Sequence, residues 1–364
     1  MDLSIRPHGR VRAHVGWAST IRMASHLLLF EILVVGCTLT LPLPKRGITI
    51  LSYNVQNLFD DHTDGAEYEE YDPSRSRWSS APYLRRLEGL SQVIRDSTRG
   101  GSDIVAFQEI EHIGVIDDLR DRFLAGLGYR YLRAIPKDES AIVVGVLSRI
   151  PIETTRSHTV FLEDGRFVRP MLEVVFRFKD EPIHLFVCHW KSKSGGARET
   201  EAYRIAQATA LSENVARLLT ENPEALIIVA GDLNESHDEY ALVRESYQTA
   251  LMPVAQASRI SEGLIVTEIG DVHDGSASPV LYTPWPQAEA PGSYYYRGVW
   301  ERIDHMLLSA TLLDSGGVSY AGIEIIMLPY MLTGEGTPLQ FRPRSGTGFS
   351  DHLPLLLRLA STSG

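Results

Sequence analysis

Cysteine is almost missing from this chain. Its 364 residues include two, Cys37 and Cys188, too few for a disulfide framework or a cysteine-built zinc centre. Net positive charge is missing as well. The 46 acidic and 35 basic residues leave -11, which argues against gripping nucleic acid through bulk charge. Meeting phosphate through a bound cation stays open. There is no low-complexity run, no fixed-period repeat and no long uninterrupted apolar stretch, so disordered, fibrous and membrane-spanning classes are set aside. What remains, at 44% hydrophobic and 22% charged residues, is the composition of a globular enzyme with one large domain or two medium ones.

The N-terminal segment has a different character. It carries Arg6, Arg10, Arg12 and Arg22 against Asp2 and Glu31. Residues 24–36 are apolar apart from Ser25, His26 and Glu31. A basic stretch followed by a short apolar one reads as an export signal. It closes on Val34, Val35, Gly36 and Cys37. That ending resembles a bacterial lipobox, where the signal is removed before a cysteine that then carries lipid. The expected organisation is a lipoprotein-type signal peptide over 1–36, a tether over 37–46 and one domain over 47–364. The expected location is outside the cytoplasm. A lipid on Cys37 holds the protein to a bacterial membrane, periplasmic or at the cell surface; otherwise it is secreted. Removal of the signal leaves the chain more acidic, with Cys188 as its one thiol.

From Gly47 onward, strands and helices interleave. Alternation and, at 103–107 and 226–230, short apolar runs predict strands over 48–53, 103–107, 129–134, 141–147, 152–161, 167–178, 183–189, 226–230, 302–308, 323–328 and 353–359. Helical spacing predicts helices over 83–94 behind Pro82, over 113–127 through Ile113, Ile116, Leu119, Phe123 and Leu127, and over 199–219. The last of these sets Ile205, Thr209, Val215 and Leu219 near one stripe. Residues 250–300 read as irregular. Two packed sheets flanked by helices are the expected architecture.

Polar segments close these strands where a core would not tolerate them unpaired. They are Ser52-Tyr53-Asn54, Phe107-Gln108-Glu109, residues 187–191 with His189, residues 230–234 with Asp232 and Asn234, and Phe349-Ser350-Asp351-His352. A sixth, Arg302-Ile303-Asp304-His305, opens a strand. Carboxylates and amides without a cysteine suit a hard cation, Mg2+ first, with Mn2+ or Ca2+ as alternatives. The histidines suit acid–base or transition-state roles.

In this order the segments resemble the endonuclease/exonuclease/phosphatase superfamily, the deoxyribonuclease-I-like fold. The likeness covers roughly residues 47–360. Four stretches look most like bacterial exported nucleases: HWKSKSGG (189–196), Arg204-x-x-Gln207-Ala208, GSYYYRGVWERIDH (292–305) and GFSDHLPLLL (348–357). One departure is His112, where many exported nucleases carry Asn. The resemblance implies an α/β (α+β) fold: a four-layer α/β/β/α sandwich, two packed, mostly antiparallel sheets flanked by helices, with the site at one edge. It also implies metal-dependent hydrolysis of phosphate esters.

The implied roles follow position by position. Glu109 is the principal metal ligand, Asn54 holds the metal or the attacking water, and Asp351 is a second carboxylate on the metal side. Asp232 orients or deprotonates the water, where Gly231 lets backbones approach closely. Asn234 donates to a phosphoryl oxygen or positions the same water. His352 binds the scissile phosphate or shuttles a proton, with Asp304 fixing its tautomer and keeping it charged. His189 helps protonate the leaving group, with Asp138 or Glu139 as its partner. His305 is expected to face the opposite side.

Lys191 and Lys193, in a flexible loop with Gly195-Gly196, suit contact with a phosphate backbone, as does Arg169 before Pro170. The aromatic run Tyr282, Trp285, Tyr294, Tyr295, Tyr296 and Trp300 admits base stacking, lipid contact or packing of its own loop. The expected function is a monomeric, exported, metal-dependent phosphodiesterase, an endonuclease with nucleic acid, DNA or also RNA, as substrate. The alternatives are a sphingomyelinase-type lipid phosphodiesterase with a phospholipid substrate, a phosphomonoesterase, and an inactive surface binding protein on the same scaffold. The intact polar set weighs against the last.

Overall fold

The computed structural model describes residues 47–137, 140–270, 278–314 and 316–361. The alternating run at Ile48 builds β1 (Ile48–Leu58), longer than expected because Asn54 and Gln56 are hydrogen-bonded inside it. Then follow α1 (Ser80–Asp96), β2 (Ile104–Ile110), α2 (Ile113–Phe123), β3 (Tyr131–Ala134), β4 (Val143–Ser148), β5 (Ile152–Phe161) and β6 (Phe167–Phe178). Next come β7 (Glu181–His189), α3 (Glu201–Glu221), β8 (Leu226–Asp232) and the single turn α4 (Glu239–Leu242). The stretch expected to be irregular holds five short strands: β9 (Leu251–Pro253), β10 (Leu264–Thr267), β11 (Val280–Tyr282), β12 (Tyr294–Tyr296) and β13 (Val299–Glu301). β14 (Asp304–Leu308), β15 (Val318–Ile325) and β16 (Leu355–Ser361) close the series.

Two mixed sheets result. One has six strands in the order β15-β16-β1-β2-β4-β3, the other eight in the order β5-β6-β7-β8-β14-β11-β10-β9. β1 and β2 run parallel, as do β7 and β8 and the short β9, β10 and β11; the other pairs are antiparallel. β12 and β13 form a separate hairpin.

Period two divides the second sheet's side chains between two cores. On β7, Leu185 and Val187 join the apolar cluster shared with the first sheet, while Phe186 and Cys188 join the one beneath α3. α1 and α2 cover the first sheet through Leu87, Leu90, Ile94, Ile116 and Leu119. The result is the expected helix–sheet–sheet–helix layering.

Two helices differ from expectation. α2 stops at Phe123, and Ile113, 46% accessible, is not on its buried face. α3 is rotated. Its buried residues are Glu201, Arg204, Gln207, Ala208, Leu211, Val215 and Leu218, while Ile205, Thr209 and Leu219 are only half-buried. Three long polar side chains, Glu201, Arg204 and Gln207, share the core-facing side of α3, and apolar spacing alone does not reveal that.

Gly231 sits at φ 139, paired with Cys188. A β-carbon there would run into the Cys188 carbonyl oxygen. Only glycine lets β7 and β8 close at this point. Further along, Glu173 on β6 is buried and accepts hydrogen bonds from both neighbours, His158 Nε2 of β5 at 2.8 Å and His184 Nδ1 of β7 at 2.7 Å.

Burial alone would raise the Glu173 carboxyl, but the hydrogen bonds from His158 and His184 outweigh it and hold the group at about 2. A carboxyl depressed on folding stabilises the fold above its unfolded value, 4.5, and that contribution fades as pH falls toward 2. Glu173→Gln is therefore expected to melt below the wild type at pH 5 and above. Thermal melts should show the gap closing between pH 4.5 and 2; a gap that is constant or widens there would contradict this account.

Candidate active site

Strand ends from both sheets meet at one rim. Within the first sheet, Asn54 of β1 pairs with Gln108 of β2, which puts Glu109 next to Asn54. Within the second, His189 ends β7 opposite Asp232 at the end of β8, and Asp304 opens β14 opposite Asp232 on its other side. The segment before β16 completes the rim. Ser350 Oγ donates to the Asn54 carbonyl at 2.7 Å, and Asp351 N donates to Gln56 Oε1 at 3.1 Å.

Asn54 joins the two sheets. Its Nδ2 donates to Glu109 Oε1 at 3.1 Å and to Asp232 Oδ2 at 2.9 Å. Its Oδ1 accepts from Gln56 N at 3.0 Å. The other Glu109 oxygen accepts from Asn57 N at 2.9 Å, and the other Asp232 oxygen from Asn234 N at 2.8 Å. Several of these residues hold left-handed backbone: Gln56 at φ 50, Asn57 at 57, Glu109 at 64 and Asn234 at 51. Each costs on the order of 1 kcal/mol for a non-glycine residue, and such conformations gather where a site needs them.

Two imidazoles flank the carboxylates. His189 Nε2 is 3.6 Å from Glu109 Oε1 and 3.8 Å from Asp232 Oδ2. His352 Nε2 is 3.8 Å from Asp232 Oδ2, while its Nδ1 meets Asp304 Oδ2 at 2.8 Å. Ser293 Oγ donates to that same Asp304 oxygen at 2.6 Å. The Tyr294 ring stacks on His352 with centroids 4.5 Å apart.

Burial sets the protonation of this group. It pushes the Asp232 carboxyl up to about 7, with the Asp304 and Glu109 charges acting the same way against His352. Glu109 is raised by burial and by the charge of Asp351. His189 is held well below the usual imidazole value by burial and by the Arg169 guanidinium, so it is neutral. Burial pulls His352 down too, but the Asp304 and Asp232 carboxylates outweigh it and raise it well above that value.

A divalent cation fits these donors. Ligand atoms of Glu109, His189 and Asp232 lie within 4.8 Å of one another, as do those of Asp232, Asp304 and His352. Carboxylates whose affinity for protons is raised by burial and mutual repulsion carry negative charge that a cation would relieve. Asp351 shares a groove wall with Glu109 and adds a further oxygen donor.

The loop after His189 is clamped from α3. Gln207 Oε1 accepts from Lys191 N at 2.9 Å, and Gln207 Nε2 donates to Arg169 O at 3.0 Å. Arg204 is fully buried, pairs with Glu201 at 2.5 Å and Glu235 at 3.2 Å, and donates to Lys191 O at 3.2 Å. The Arg204-x-x-Gln207-Ala208 motif is thus the brace behind the rim.

The structure brings Asn54, Glu109, His189, Asp232, Asn234, Asp304, Asp351 and His352 together. Arg169 belongs with them, since its Nη1 donates to His189 Nε2 and Trp190 O, each at 3.0 Å. Lys191 carries cationic neighbours, Arg169 and Arg204, on a half-buried side chain. Lys193 differs from expectation: its ammonium is held by Glu239 at 2.8 Å and Glu301 at 3.6 Å, tying the loop to α4 and β13. Asn234 Nδ2 already donates to Trp190 O at 3.1 Å. His305 faces away, bonded to Glu235 O at 2.8 Å, and His112 caps α2. Asp138 and Glu139 lie outside the described residues, as does the whole of 1–46 with Cys37; His189 Nδ1 has no partner among the described ones. Sequence reasoning missed Ser293, Gln56 and Tyr294 as site residues. For Ser293 and Tyr294 there was a signal, their place in the GSYYYRGVWERIDH stretch; for Gln56 there was none. Tyr282 and Trp285 of that run pack into the core, and Tyr296 is exposed.

A family model described as the endonuclease/exonuclease/phosphatase family matches residues 49–253. No curated protein matches the chain. Among solved structures, the humanised D. rerio TDP2 carrying 14 mutations aligns at 16% identity and a TM-score of 0.52, over 86% of this chain and 99% of that one. D. rerio TDP2 complexed with a single-strand DNA product aligns at 17% identity and a TM-score of 0.50, over 86% and 99%. A Bacteroides thetaiotaomicron protein described by the same family name aligns at 15% identity and a TM-score of 0.50, over 88% and 100%. At these identities the likeness establishes the fold.

The Asp304–His352 pair makes a direct prediction. Asp304→Asn removes the charge that keeps the imidazole protonated, so His352 should titrate at least about one pH unit lower. NMR titration of the imidazole protons measures this, and an unmoved His352 would mean that Asp304 does not set its charge.

Proposed function

The chain belongs to the endonuclease/exonuclease/phosphatase family, and from that premise we propose that it is a divalent-metal-dependent phosphodiesterase, an endonuclease acting on DNA and also RNA. The observation that carries the hydrolase reading is the pairing at the rim of a carboxyl near pH 7, Asp232, with a charged imidazole, His352, 3.8 Å away. Base and acid are held apart by their surroundings, which is the arrangement proton transfer at neutral pH requires.

Asp232 accepts a proton from the attacking water through Oδ2 or Oδ1, its orientation fixed by Asn54 Nδ2 and Asn234 N. The second N–H of the Asn234 amide, beyond the one on Trp190 O, is left to donate to a phosphoryl oxygen. His352 donates from Nε2 to the phosphate or the departing oxygen, while Asp304 and Ser293 hold its other side. His189 is neutral and takes a hydrogen bond from Arg169. It therefore serves better as a positioning group than as the leaving-group acid expected of it, and the acid role passes to His352. Glu109 and Asp351, with Asn54 beside them, would hold the metal, Mg2+ by preference. Such a cation supplies charge to a phosphoryl oxygen and lowers the barrier to in-line attack.

DNA is favoured by the cationic Arg169 and Lys191 at the rim and by the DNA product bound in the D. rerio TDP2 structure. A specific observation supports lipid as a second reading: Tyr296 and Val299, 47% and 61% accessible, sit at the tip of the β12–β13 hairpin. Export with a lipid on Cys37 rests on the sequence over 1–46.

The test is a parallel assay of the full chain with Mg2+, Mn2+ or Ca2+ on plasmid DNA, RNA, sphingomyelin and bis(p-nitrophenyl) phosphate. Nicking that EDTA abolishes and Mg2+ restores is expected, with Asp232→Asn lowering kcat by about 100-fold or more. Sphingomyelin turnover without nicking would defeat the nuclease reading. Full activity in Asp232→Asn would defeat the assignment of the base.

A further inference from the structure

Beside Glu109 and Asp351 the rim opens into a groove of about 870 Å3, whose far wall is the turn over residues 341–345. Arg342 and Arg344 are exposed on that wall. Arg344 also lines the adjoining depression together with Arg75 and Arg77. Arg75 pairs with Asp72 at 3.2 Å, while the side chains of Arg342, Arg344 and Arg77 have no ionic partner among the described residues. Glu69 and Glu70 lie in the same depression and are not within ion-pair reach of any of these arginines. In a chain of net charge -11, cations gathered near one another and left unneutralised are set for an anion from outside.

The turn is held in place. Arg342 N donates to Thr347 O and Gly346 N to Arg342 O, both at 2.8 Å. Phe341 is buried, and Gln56 grips it twice, with Oε1 accepting from Phe341 N at 2.8 Å and Nε2 donating to Phe341 O at 3.2 Å. The same Gln56 Oε1 accepts from Asp351 N at 3.1 Å. One glutamine thus ties the base of the arginine turn to the carboxylate side of the rim, so the backbone that carries the two arginines is fixed relative to Asp351.

We propose that Arg342 and Arg344 bind a phosphate adjoining the scissile one, which makes this groove the track of a phosphodiester polymer. The inference rests on the phosphodiester reading above and narrows its substrate. A polynucleotide carries such a phosphate on the next nucleotide, and a planar guanidinium suits it. A phosphocholine headgroup instead brings a quaternary cation, which two arginines repel. Arg169 donates to His189, which lies 3.6 Å from Glu109, so a further cation stands near the same carboxylate.

The experiment is anisotropy of a fluorescein-labelled single-stranded 12-mer on the full chain, with Mg2+ and in the slowed Asp232→Asn background. Adding Arg342→Ala and Arg344→Ala is expected to weaken binding by about tenfold and to flatten the log Kd against log salt plot by about 0.7, the share of one single-strand phosphate. The lysine pair, Arg342→Lys with Arg344→Lys, should recover most of the slope. Unchanged affinity and slope would overturn the proposal, as would a loss that the lysine pair does not recover at all. Weakened binding to phosphatidylserine vesicles with unaltered oligonucleotide binding would assign the turn to an anionic lipid surface and overturn it as well. The wild-type chain's action on bis(p-nitrophenyl) phosphate separates the two readings. No hydrolysis defeats the hydrolase, whereas hydrolysis with unchanged oligonucleotide binding defeats only the arginine turn.

Discussion

Negative charge crowded into a buried place is the constraint around which this structure is arranged. Glu109 comes from one sheet and Asp232 from the other, and a single amide, Asn54 Nδ2, donates to both. Without that donor the carboxylates would face each other across a poorly solvated gap, where like charges repel strongly. With it, the two sheets are joined at the one rim where neither can be covered by apolar side chains. Burial raises the proton affinity of both carboxyls, with the Asp351 charge adding to it at Glu109 and the Asp304 charge at Asp232, and the amide offsets only part of this. The remainder calls for a cation.

Behind the rim, a second set of buried charges serves geometry. Arg204 lies between Glu201 and Glu235, all three buried. A buried ion pair is weak support for stability as such. This one also fixes carbonyls: Arg204 holds those of Lys191 and Ala197, and Gln207 nearby holds that of Arg169. The loop that follows His189 is therefore shaped by α3, on the far side of the second sheet from the first. Its lysines then divide, Lys191 staying at the rim and Lys193 closing an ion pair with Glu239 and Glu301.

Much of this was legible beforehand, because the site is made of strand ends. Apolar alternation locates a strand, and a run of polar residues after it marks where the strand leaves the core; Glu109 after the IVAF run is the plainest case. The rest depends on partners distant in sequence. The buried face of α3 contains Arg204 and Gln207, whose partners lie at Glu235, Lys191 and Arg169, so no local pattern predicts their burial. The strands β9 to β13 are three or four residues long, and neighbouring strands make them strands. Ser293 and Gln56 are ordinary polar residues until the fold sets Asp304, Phe341 and Asp351 beside them. The surroundings of His189 belong here too: burial and the Arg169 guanidinium, which reaches it from an adjacent strand, hold it neutral, and neither is a local signal.

The β12–β13 hairpin stands outside both main sheets. Its inner end is fixed by the Tyr294–His352 bridge and ring stack and by Ser293 on Asp304. Its outer end is a two-residue turn, Arg297 at φ 48 and Gly298 at φ 88, between Tyr296 and Val299. Nothing in either sheet's hydrogen-bond register passes through that tip. Residues can be gained, lost or exchanged there while His352 keeps its place. The molecule thus joins a fixed polar centre to an editable margin, the few positions between Tyr296 and Val299.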